Sequence, residues 1–227
     1  MILINITLSL AAPVGPTIVY NFSETATPRS AALINTTGGS ITTMVLNATS
    51  QNLRWKAYVG NVTGSLTLDD ANNYTIFDWT LSNVVGEVYA TRSANSISWA
   101  NLNCSNLTHI YNEENAMNHT NPYDNISATF DVKSHTQFYI GTTLISQNSC
   151  YSVHTYVNDT NQSSNFQEVV MYDGTNATNG NFVYATTFEQ DQQGFDNNQY
   201  DFQMIVPENG ITGWTSSTAY YFYVELT

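Results

Sequence analysis

The stretch Leu53-Arg-Trp-Lys-Ala-Tyr-Val59 decides the fold class of this chain. Leu53, Trp55, Ala57 and Val59 occupy every second position, so an extended strand gathers all four on one face, whereas a helix would scatter them around its axis. Runs of similar character recur at 18–22, 41–46, 66–68, 76–81, 85–90, 97–102, 128–132, 138–145, 153–157, 169–172, 182–188, 200–206 and 219–226. Between them stand turn formers, among them Asn179-Gly180 and Asn209-Gly210, dipeptides that tolerate the positive φ angles of primed hairpin turns. The spacing predicts an all-β protein, an antiparallel β-sandwich of Ig-like or jelly-roll-like type, rather than a parallel α/β sheet.

Helix formers are scarce. The chain holds 2 Lys, 8 Glu and 13 Leu, while Thr, Val, Ile, Tyr and Phe fill the periodic segments. Only 112–118, with Glu113-Glu114-Asn-Ala-Met117, supports a helical turn or two. Trp55, Trp79 and Trp99 each share a face with aliphatic or aromatic neighbours and read as core; Trp214, between Gly213 and Thr215, reads as loop-borne.

The opening residues form a separate problem. Ile2, Ile4, Ile6, Leu8 and Leu10 share one face of an extended strand, with Leu3, Asn5, Thr7 and Ser9 on the other. Pro13-Val-Gly-Pro16 follows, and two prolines in four residues cannot continue a ladder. Three parts result: a strand at 1–12, a spacer at 13–16, and a β-sandwich domain at 17–227 with a possible subdivision near residue 100. The strand either opens the subunit's own sandwich or leaves it to complete the sheet of the next copy, which builds a polymer by donor-strand complementation. Burying five Ile and Leu side chains is worth on the order of 10 kcal/mol before entropy. A head-to-tail operation of this kind does not close, so it yields a fibre.

Composition excludes several classes. Of 227 residues only 10% are charged, with a formal charge of −13, and 42% are hydrophobic with 29 aromatics. Such a chain is too apolar for intrinsic disorder. Five cations cannot neutralise a phosphate track, so no nucleic-acid partner is expected. No run approaches the roughly 20 apolar residues of a membrane span. The initial Met-Ile-Leu stretch lacks a positive leader region, so any export signal is expected upstream of it.

Uncharged polar residues replace the missing charge: 28 Asn, 30 Thr and 20 Ser. Thirteen Asn-x-Ser/Thr acceptors result, at Asn5, Asn21, Asn35, Asn47, Asn61, Asn73, Asn103, Asn106, Asn118, Asn125, Asn158, Asn161 and Asn176. Chance would supply about six. A secreted or cell-surface protein carrying N-linked glycans is expected. The last 51 residues carry no acceptor, which marks a sugar-free surface, and 219–226 is a candidate part of an acceptor groove. Two cysteines, Cys104 and Cys150, lack CxxC or metal spacing and are expected to pair in one disulfide, as in an exported chain.

No catalytic constellation is legible, so a non-enzymatic role without cofactor or metal is expected. His109, His119, His135 and His154 show no short ligand spacing, and neither a Gly-x-Ser-x-Gly elbow nor a P-loop occurs. Asp69-Asp70 and the series Asp191, Asp196 and Asp201 lack the spacing of an EF-hand loop and read as solvated turns.

Three stretches carry a resemblance: Trp55-Lys-Ala-Tyr-Val-Gly-Asn-Val-Thr-Gly64, Gly86-Glu-Val-Tyr-Ala-Thr-Arg92 and Tyr200-Asp-Phe-Gln-Met-Ile-Val-Pro207. With the rest of the chain they resemble archaeal secreted filament subunits assembled by donor strands, such as threads and bundling pili. The resemblance implies glycosylated β-sandwich subunits, a partner that is another copy, and roles in adhesion or biofilm. Type IV pilins fit poorly, since Asn5, Thr7, Ser9 and Pro13 exclude their long apolar helix. The alternatives are a monomeric or surface-layer glycoprotein domain that keeps its first strand, and a carbohydrate-binding adhesin module.

Overall fold

The computed structural model describes residues 12–81, 84–176 and 178–226. Ile2, Ile4, Ile6, Leu8, Leu10 and the acceptor Asn5 lie outside the described residues. The chain divides into two units: residues 17–53 form one, and residues 54–227 with the segment preceding 17 form the other.

In the larger unit the strands are β1 (Trp55–Gly60), β2 (Ser65–Asp69), β3 (Thr75–Thr80), β4 (Gly86–Thr91), β5 (Asn103–Cys104), β6 (Phe138–Ile140), β7 (Thr143–Ile145), β8 (Ser152–His154), β9 (Gln167–Tyr172), β10 (Phe182–Thr187), β11 (Gln192–Gln193), β12 (Gln199–Tyr200), β13 (Phe202–Pro207) and β14 (Tyr221–Leu226). Two helices, α1 (Leu107–Met117) and α2 (Ile126–Thr129), and a 3₁₀ turn at Trp99–Asn101 interrupt them. The protein is thus mostly β and antiparallel throughout, in a sandwich-like arrangement.

Its centre is a six-stranded sheet in the order β14-β4-β10-β9-β5, with β8 also on β9. Strands β4, β9 and β10 are buried on both faces. Even-numbered Val88, Ala90, Val170, Tyr172, Phe182 and Tyr184 enter one core, and odd-numbered Tyr89, Val169, Met171, Val183 and Ala185 enter the other. Burial on both sides explains why these strands are nearly continuous apolar runs instead of alternating ones. The first core is covered by Ile110 of α1, Ile126 of α2, Phe130, and the β1–β13 pair through Trp55, Met204 and Val206. The second is covered by the β6–β7 hairpin through Phe138, Ile140 and Ile145, and by Ile97 and Leu102.

Gly86 starts β4 where β14 comes closest. Its φ is 150°, and a Cβ there would lie 1.8 Å from the Glu225 carbonyl oxygen, so only glycine lets the two backbones meet.

Several local expectations require correction. The runs at 18–22 and 41–46 form no strand; every residue of 17–53 is exposed, and the only turn there is Thr37-Gly38-Gly39-Ser40, closed by the Ser40 amide on the Thr37 carbonyl with Gly39 at φ 86°. The 128–132 run begins in the last two residues of helix α2 and ends at Val132, which makes only an isolated bridge to Ser152, and the 97–102 run contains the 3₁₀ turn. Residues 138–145 split into a hairpin at Gly141, whose φ is 54°. Asn209-Gly210 is no hairpin turn, because β13 pairs with β1 and β14 with β4; Asn179-Gly180 does lie between the paired β9 and β10, in a longer loop. The helix near 112–118 is longer and begins earlier. Asn106 caps it by accepting from the His109 amide while His109 Nδ1 accepts from the Asn106 amide.

Candidate functional site

The two edges of the central sheet are built differently. On the β9 side, β5 pairs with residues 171–172 and β8 with residues 167–169, so two short strands share one edge. The disulfide Cys104–Cys150, with Cα atoms 4.7 Å apart, joins β5 to the residue two before β8. Val132 bridges Ser152 beyond them. This edge is covered and covalently stapled, the usual remedy for exposed ladder groups.

At the β14 edge the described chain touches at one point. Val14 and Val224 exchange backbone hydrogen bonds of 2.9 and 2.8 Å. That exchange turns the Val224 amide and carbonyl away from β4, and the two-residue period turns those of Phe222 and Leu226 the same way. Continuing the register opposes Phe222 to Pro16, which has no N–H to give. Pro13 is buried, Val14 exposed. Among the described residues nothing pairs with the outward backbone groups of Phe222, and three consecutive aromatic side chains, Tyr221, Phe222 and Tyr223, precede Val224.

Directly behind this edge lies a pair of carboxyl groups. Glu87 of β4 stands opposite Glu225 of β14 and opposite Thr187 of β10. Glu225 is satisfied: the Tyr89 hydroxyl donates to it at 2.8 Å and the Gly141 amide at 2.5 Å, which ties the β6–β7 hairpin to β14. Glu87 is 6% exposed, and its Oε2 has no hydrogen-bond partner. Burial first, and the neighbouring Glu225 second, push the Glu87 carboxyl up to about 8. Burial likewise raises Glu225 against the two hydrogen bonds it accepts. Beside Glu87 opens a cavity of about 330 Å³ whose walls include Val85, Gln137, Tyr139, Phe188 and Glu189. Sequence reasoning missed this pair, since nothing local in Glu87 or Glu225 announces that β4 and β14 are neighbours.

A second kind of unsatisfied surface is apolar. In the unit 17–53, Val19, Tyr20, Leu33, Ile41 and Val45 are all more than four-fifths exposed. The hairpin β2–β3 is exposed along both strands, and Trp79, expected in the core, stands 48% exposed against Phe77. Single exposed apolar residues are ordinary; contiguous sets of this size mark interaction surfaces. Trp214 is in a loop and 41% exposed, as its neighbours imply.

The remaining expected residues fall as follows. Asn21, Asn35, Asn47, Asn61, Asn73, Asn103, Asn106, Asn118, Asn158, Asn161 and Asn176 are exposed, and Asn125 is half-buried. Several also shape the backbone. Asn106 and Asn125 cap α1 and α2 through their amide oxygens, and Asn73, Asn118 and Asn158 adopt positive φ. Since a glycan attaches at the amide nitrogen, a capping oxygen stays free to accept. The histidines serve packing. His119 Nε2 meets the Glu208 carbonyl, His135 accepts from the Cys150 amide, His154 meets the Ser134 carbonyl and His109 stacks on Tyr172. Asp201 accepts from the Val62 and Asp191 amides, and Asp70 from those of Asn72 and Tyr74. Among the described residues no group of three His, Cys, Asp or Glu is arranged to hold a metal ion, and no helix is long and apolar enough to cross a membrane.

Comparison with protein-family models, with curated proteins and with solved structures finds no match to this chain.

Proposed function

We propose that this chain is a non-enzymatic, N-glycosylated structural subunit of an extracellular filament, polymerising by insertion of Ile2, Ile4, Ile6, Leu8 and Leu10 into the sheet of the next copy. The observation that carries this reading is the asymmetry of the central sheet. Its β9 edge is covered by two strands and a disulfide, while its β14 edge meets the described chain only at Val14. An open edge with outward N–H and C=O groups is a template for an added strand. The disulfide and the exposed acceptors support an oxidising, extracellular setting.

Electron microscopy of the purified protein and of a variant lacking residues 1–12 tests the proposal. Long uniform fibres from the full chain and none from the shortened one are expected. Fibres from the shortened chain overturn strand donation. An intact mass equal to the bare 25.2 kDa polypeptide in protein from its native source removes the glycan part. A second reading, a surface glycoprotein domain that keeps its first strand, draws support from the Val14–Val224 bridge and predicts monomers in both preparations.

A further inference from the structure

Among the described residues one cation and one buried carboxyl beside a cavity stand out. Of its five cations, Arg54 pairs with Asp124, Lys56 with Glu208 and Arg92 with Glu113, and Lys133 lies 4.6 Å from the Tyr151 ring centre. Arg29 is exposed, in the middle of the 17–53 unit, and has no ion pair among the described residues. On the acidic side Glu87 is buried with an unpartnered oxygen beside an open cavity. The titratable groups around it are Glu225 from β14, Tyr89 from its own strand, Tyr139 from β6, Glu189 after β10 and His135 before β6, with no Lys or Arg among the residues forming the cavity walls. A carboxyl so placed is costly to ionise alone and gains most from a guanidinium, which is weakly hydrated and always charged.

We propose that the segment 17–53 of one copy docks on another copy of this chain, with Arg29 entering the cavity beside Glu87 and forming an ion pair with its carboxylate. The occupant follows from charge and exposure together. The cavity is acidic, and the segment brings the one Lys or Arg that is neither ion-paired nor stacked among the described residues, flanked by Ile18, Tyr20 and Phe22 on one side and Leu33 and Ile34 on the other. Residues 17–53 are exposed throughout and form no buried core among themselves. A cavity of about 330 Å³ has room for a single arginine side chain and not for a folded element. Because every copy carries −13, contacts between copies need matched charges to offset repulsion.

This inference rests on the self-assembly reading, and the experiment separates the two. Both native cysteines are in the disulfide, so an added thiol is the only free one. Isotope-labelled Ser30→Cys protein, which keeps Arg29, is mixed with unlabelled Gln137→Cys protein, Ser30 being exposed beside Arg29 and Gln137 an exposed residue of the cavity wall. The mixture is oxidised gently and analysed by mass spectrometry, beside sedimentation of the wild type. Mixed-label disulfide dimers are expected, together with at least a tenfold loss of sedimenting material in Arg29→Glu and a smaller loss in Glu87→Gln. Wild-type polymers without mixed-label dimers overturn the docking and leave strand donation standing. Wild-type protein that never sediments overturns both. A disulfide formed within single dilute chains of the Ser30→Cys/Gln137→Cys double variant also overturns the docking, because the segment then folds onto its own copy.

Discussion

Val14 and Val224 exchange both backbone hydrogen bonds, at 2.9 and 2.8 Å, and this one bridge is where the described N-terminal segment meets the edge of the central sheet. Prolines at 13 and 16 confine it: neither can donate to a ladder, so the pairing cannot spread along β14 from 13 to 16.

Val14→Pro removes the amide that bonds to the Val224 carbonyl. Native-state hydrogen exchange is expected to show the Val224 amide opening roughly tenfold faster, with a loss of about 1 kcal/mol in global stability. Unchanged exchange at Val224 would show that other residues protect that edge.

At the opposite edge the covalent link between Cys104 and Cys150 spans a sequence separation of 46. The chain-entropy account assigns a loop of that size about 4 kcal/mol. The double variant Cys104→Ser/Cys150→Ser is expected to lose about that much in denaturant unfolding, and to fray first at β5 and β8, which hold β9 by only two and three residue pairs. Uniform loss of exchange protection across the sheet would argue against a local staple.

The fold class was legible because period-two runs such as Trp55 to Val59 and 200–206 report the pleat directly, and these two stretches do pair as β1 and β13. Helix α1 was legible only in part. Its buried side carries Ile110 and Met117 but also Glu113, which is ion-paired with Arg92, and Glu114, which accepts from the Ser127 amide, partners that only the tertiary fold supplies. The segments 18–22 and 41–46 have strand-like composition and no ladder, since a strand needs a neighbour and composition does not name one. For the same reason the Glu87–Glu225 pair was invisible: cross-strand opposition is a property of register, and residues 87 and 225 are separated by most of the chain.

Glu168 is a second buried carboxyl, fully enclosed, with Oε2 accepting from the Ile205 amide at 2.8 Å and Oε1 without a partner. Burial holds it well above the usual carboxylate range. Glu168→Gln keeps an acceptor for Ile205 and removes the ionisable group. The variant is expected to equal the wild type at pH 4 and to exceed it by 1 kcal/mol or more at pH 8, by urea unfolding at both pH values. A variant weaker at both values would mean that the carboxyl geometry itself holds β9 to β13.

Together the carboxyls set the direction in which stability depends on pH. Glu87 is raised from 4.5 to about 8, so the folded state holds its proton where the unfolded chain has released it. Its contribution is fully present below pH 4.5 and is lost as pH climbs through about 8, a change on the order of 5 kcal/mol. Glu208 works in the opposite sense. Burial raises it, but Lys56 at 2.8 Å, the Thr218 hydroxyl and the Asn209 and Thr218 amides outweigh that and lower it to about 2. Its contribution is present above pH 4.5 and is lost as pH falls through about 2. With Glu87 and Glu168 favouring acid and Glu208 failing only near pH 2, the melting temperature is expected to peak near pH 4 to 5, below neutrality. Glu87→Gln should flatten the alkaline limb between pH 5 and 8 and leave the acid limb in place, whereas Glu208→Gln should weaken the protein at pH 5 and above and flatten the acid limb. A melting profile with its maximum at pH 7 or higher, or an alkaline limb unchanged in Glu87→Gln, would show that Glu87 stays ionised in the folded subunit.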